Sequence, residues 1–61
     1  MDNLADWTAR AMEYIHQHNA TPAMAIYMIK ELDDFKRSGV SVADLAGSIS
    51  KALEKDNGAG R

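Results

Sequence analysis

Apolar residues in this chain recur at three- and four-residue spacing in three blocks, and nowhere do they alternate. That spacing allows packed helices and argues against a sheet. The first block covers about residues 4–18. At roughly 100° per residue, Leu4, Trp7, Ala11, Tyr14, Ile15 and His18 share one sector, with Asp6, Arg10, Glu13 and Gln17 opposite. Asp2 or Asn3 is placed to cap the helix, and Asp6 suits its positive end. Met12 lies off the stripe, and His18 extends it as a partly buried terminal residue.

The second block opens on Thr21-Pro22, with threonine as N-cap and proline at the first helical position, where its missing N–H costs nothing. The spacing predicts one helix over about 22–38, with Met24, Ala25, Met28, Ile29, Leu32 and Phe35 as its main apolar face. Ile26 and Tyr27 fall outside that face on opposite sides. Gly39 is suited to the left-handed residue that closes the helix. In the third block Ser41 is the N-cap with Asp44 at N3, a variant of the capping box, and Val40 is placed to pack on Leu45 as a staple. The seam of Val42, Leu45, Ala46, Ile49, Ala52 and Leu53 predicts a helix over about 42–55, and 56–61 reads as a flexible tail. Gly47 inside this helix is unfavourable by about 1 kcal/mol relative to alanine and is expected to allow close helix approach. The expectation is an all-α, compact three-helix domain with short connections.

A chain of 61 residues makes one domain. A core of this size leaves roughly 3–5 kcal/mol after chain entropy, so helix packing, self-association or a partner must supply the rest. With no cysteine, disulfides and thiolate metal sites are excluded. Nine acidic residues against seven basic ones, interleaved along the chain, disfavour a nucleic-acid or anionic-membrane surface. No apolar run approaches a membrane span and the acidic start does not resemble a signal peptide, so the expected location is the cytoplasm.

Candidate chemistry is sparse. His16 and His18 point about 160° apart on a helix and cannot chelate one metal there. Glu31, Asp33 and Asp34 form a charged helix face rather than carboxylates converging on a pocket. Ser41, Ser48 and Ser50 have no evident base partner, and Ser41 is explained as a cap. No glycine-rich phosphate loop is present. No catalytic, cofactor-binding or metal residue is assigned. The turn at Gly39 with the helix after it has the outline of a helix-turn-helix. Its outward residues, Ala43, Asp44, Gly47, Ser48 and Lys51, are poor base readers.

The apolar surplus points elsewhere. Trp7, Met12, Tyr14, Met24, Ile26, Tyr27 and Met28 exceed what three small stripes need, and Met, Tyr and Trp are enriched at protein interfaces. Trp7, Met28 and Phe35 are expected in the core. Met24, Ile26 and Tyr27, at the edges of the second stripe, are the expected partner-binding residues.

The stretch Thr21-Pro22-Ala23-Met24-Ala25-Ile26-Tyr27-Met28-Ile29-Lys30-Glu31-Leu32, followed by the capped last helix, resembles the small helical QseM-like antiactivators of proteobacterial integrative and conjugative elements. The resemblance implies a regulator that binds a transcriptional activator and holds it inactive, and it carries no site residues with it. Two other readings stay open: a helix-turn-helix-like DNA binder, and a homodimerising or docking module.

Overall fold

The computed structural model describes the backbone of residues 3–59 and the side chains of residues 3–55. It is all-α. Among the described residues there are four helices rather than three: α1 Asn3–His18, α2 Pro22–Lys30, α3 Asp33–Ser38 and α4 Val42–Ala59. The chain measures 38 × 24 × 17 Å along its principal axes. α4 packs against both α1 and α2, α1 packs on α2, and α2 also meets α3.

The junctions follow from local chemistry. At the end of α1, Asn19 takes a left-handed backbone with φ 51°, and the Ala20 N–H donates to the Ile15 carbonyl at 3.1 Å. That is the six-to-one bond of a Schellman ending, and asparagine tolerates its conformation. The Thr21 hydroxyl accepts from the Met24 N–H at 3.2 Å, with Pro22 in the first turn. Gly39 closes α3 at φ 81°. The Ser38 hydroxyl donates to the Phe35 carbonyl and accepts from the Val40 N–H, which tightens the same turn. The Ser41 hydroxyl accepts from the Asp44 N–H at 3.0 Å, as its place before the third stripe predicts.

The expected helix over 22–38 is broken at Glu31-Leu32. Leu32 is extended, with φ −73° and ψ 133°, and begins α3 without a side-chain cap. In one continuous helix Met28 and Phe35, seven residues apart, would lie within about 20° of each other, and Phe35 would lie about 120° from Ile29. The structure buries Ile29 and Phe35 and leaves Met28 half exposed, so the chain must turn between them. Asp33 and Asp34 then stand in the first turn of α3, where the helix dipole favours them, and Lys36 and Arg37 stand in its last.

The core comprises Trp7, Ala11 and Ile15 of α1, Ala25 and Ile29 of α2, Phe35 of α3, and Leu45 and Ile49 of α4. The Trp7 and Phe35 rings meet edge to face, 5.3 Å apart at 87°. Leu4, Met12, Tyr14, Ile26, Val40 and Leu53 are half-buried around this cluster. Several expectations are corrected here. Met12, expected off the stripe, packs on the core, while His18 is exposed and lies against the Tyr14 ring at 4.6 Å. Met28, expected inside, is outside. Gly47 is not a contact glycine, because a Cβ placed there meets nothing within 4 Å. The last helix runs past the expected end near residue 55 to Ala59, and Gly60 and Arg61 lie outside the described residues. The Thr8 hydroxyl donates to the Leu4 carbonyl, so in the 2.7 Å contact between Thr8 and Ser48 the serine donates. This bond ties α1 to α4.

Candidate protein-binding face

α2 is apolar on nearly every side, and its packing decides which side is core. Ala25 is fully covered and Ile29 nearly so, because the small alanine lets α2 lie close to its neighbours. The larger side chains are left on the far side: Met24 is 54% exposed, Tyr27 63% and Met28 51%. Leu32, at the break after α2, adds a fourth at 45%.

These residues meet α1 along the side of the α1–α2 pair that forms two apolar depressions. One, of about 220 Å³, is lined by Trp7, Arg10, Tyr14, Met28, Ile29 and Leu32. The other, of about 380 Å³, is lined by Tyr14, Ala23, Met24, Tyr27 and Met28. They share Tyr14 and Met28, so the face is continuous. Two cations stand on its aromatic rings. The Arg10 guanidinium lies 4.8 Å from the centre of the Trp7 ring, and the Lys30 ammonium 5.1 Å from that of Tyr27.

The three residues expected from the sequence are therefore divided. The structure brings Met24 and Tyr27 to one face and packs Ile26 against the core, where it lines neither depression. Met28 and Leu32 complete the face, and the spacing alone does not show them, because on one continuous helix both fall on the core stripe. The local sequence points away from a second helix start there, because a leucine stands immediately before Asp33-Asp34, where an N-cap would normally be Ser, Thr, Asp or Asn.

Elsewhere the sequence candidates do not converge. Glu31, Asp33 and Asp34 are all exposed. Among the described residues no three of His, Asp and Glu stand together as a metal-binding group. Ser41 caps α4, and Ser48 bonds to Thr8. α3 and α4 flank the turn at Gly39, and Ala43, Asp44, Gly47 and Lys51 are exposed on α4. Among the described residues no helix is long and apolar enough to cross a membrane. No family model matches the chain, and neither does any curated protein or solved structure.

Proposed function

We propose that this protein is a non-enzymatic regulator that acts by stoichiometric binding of a partner protein in the cytoplasm, in the manner of an antiactivator that masks a surface a transcriptional activator needs. The observation that carries the reading is the exposed apolar face of Met24, Tyr27, Met28 and Leu32 beside Tyr14 of α1. Large side chains held in water add nothing to the stability of the lone domain, while a contiguous cluster of them makes an adhesive surface. Methionine adapts its shape to the partner, and tyrosine buries its ring while its hydroxyl stays at a wet rim.

The test is recovery of tagged protein from its native cell in two forms, wild type and Met28→Asp. A partner that co-purifies in stoichiometric amount with the first and not with the second supports the reading. If that partner is a transcriptional activator, co-expression should lower output from its target promoter, and Met28→Asp should restore it. Equal recovery of every partner by a folded Met28→Asp protein would exclude this face.

A further inference from the structure

We propose that the occupant of this face is an amphipathic helix of the partner with acidic residues flanking its apolar stripe. The inference rests on the reading of the face as a partner surface and specifies the chemistry that fits it. α4 packs on both helices of the α1–α2 pair, and no α4 residue lines either depression, so the apolar groove is left open beside α4 rather than under it. From Met24 to Leu32 the groove has the length of about two helical turns, which suits apolar anchors at i, i+3 or i+4, and i+7.

The charges decide the flanks. Acids outnumber bases in this chain, yet no acidic residue lines either depression, and Arg10 is the one charged residue that does. Lys30 adds a second cation, over the ring of Tyr27. Both cations are held on rings of residues that line the depressions. A helix carrying Glu or Asp beside its anchors meets them with opposite charge, and a basic helix is repelled. A second copy of this chain fits less well. A self-complementary contact would set the same two cations against each other, and no acid lines either depression to meet them.

Two synthetic three-turn peptides test this, identical in their leucine anchors at i, i+4 and i+7. One carries Glu at the flanking positions and the other Lys. Binding is followed through the Met24 and Met28 methyl signals and the Trp7 indole signal. The Glu peptide should shift these signals and bind about tenfold more tightly than the Lys peptide, a ratio that added salt narrows. The double variant Arg10→Gln, Lys30→Gln should reduce the ratio to about twofold or less. Equal affinity of the two peptides at these signals overturns the acidic-helix inference and leaves the binding face standing. Absence of shifts at Met24 and Met28 with either peptide at millimolar concentration removes both. Concentration-dependent changes at the same methyls without peptide identify a second copy as the occupant and overturn the inference.

Discussion

Ser41 caps α4 and Gly47 lies within it, and they act on its stability in opposite directions. The Ser41 hydroxyl satisfies the Asp44 N–H, one of the four amides that a helix start leaves without a partner. Ser41→Ala should destabilise the fold by about 1 kcal/mol. In urea this lowers the midpoint with an unchanged slope, and an unchanged midpoint would contradict the cap. Gly47 has ordinary helical geometry and open space where its Cβ would be. Gly47→Ala should therefore stabilise by about 0.5–1 kcal/mol, because alanine has less backbone freedom to lose. A loss of stability would mean that the glycine is a point of close approach after all. Both features are visible in the sequence. Only the structure separates the serine that holds a bond from the glycine that touches nothing.

At the scale of elements, the decisive fact is the rotational phase of α2. Ala25 faces the interior with none of its surface exposed, and Met24 beside it is half in water. Ala25→Leu should cost about 1–3 kcal/mol through overpacking, whereas Met24→Ala should cost less than about 1 kcal/mol. Reversal of that order in thermal melts would place the wrong side of α2 in the core. Leu32 makes a second test. As the uncapped start of α3 it occupies a position where aspartate is among the best residues. In Leu32→Asp, a gained cap of about 1 kcal/mol should offset the lost contacts of a half-covered leucine, leaving Tm nearly unchanged. Partner binding should fall in the same protein. A large drop in Tm would show that Leu32 is needed for the fold and not kept for contact. Hydrophobic spacing made the helical class, the Thr21 and Ser41 starts and the Gly39 stop legible. It could not show the break at Glu31-Leu32, because Met28, Leu32 and Phe35 also make a sound stripe on one long helix. Competition between that stripe and the Ala25–Ile29 stripe is settled by the tertiary contact of Phe35 with Trp7, which no local pattern reports. The same ambiguity explains the candidate face. Tyr27 and Met24 could be recognised as surplus at the edges of a stripe, while Ile26 looked equivalent to them until the helix phase was known.

For the whole molecule, three features belong together. α4 packs on both α1 and α2, the core is completed by Phe35 from a six-residue helix, and the α1–α2 depressions that no α4 residue lines are left apolar and open. A domain this small has few large side chains to spare, and this one keeps Met24, Tyr27, Met28 and Leu32 out of its interior. The account requires that these residues contribute little to folding and much to association. Tyr27→Ala separates the two, because Tyr27 is the most exposed large apolar residue of the face. The measurement is a calorimetric titration of the recovered partner against wild type and Tyr27→Ala, with a thermal melt of each. Binding should weaken by about 1–3 kcal/mol, as truncation of an interface anchor does. Tm should move by less than about 4 °C, corresponding to under about 0.5–1 kcal/mol in a domain of this size. Unchanged affinity in a folded Tyr27→Ala protein would contradict the central claim, and so would a collapse of Tm that returns Tyr27 to the core.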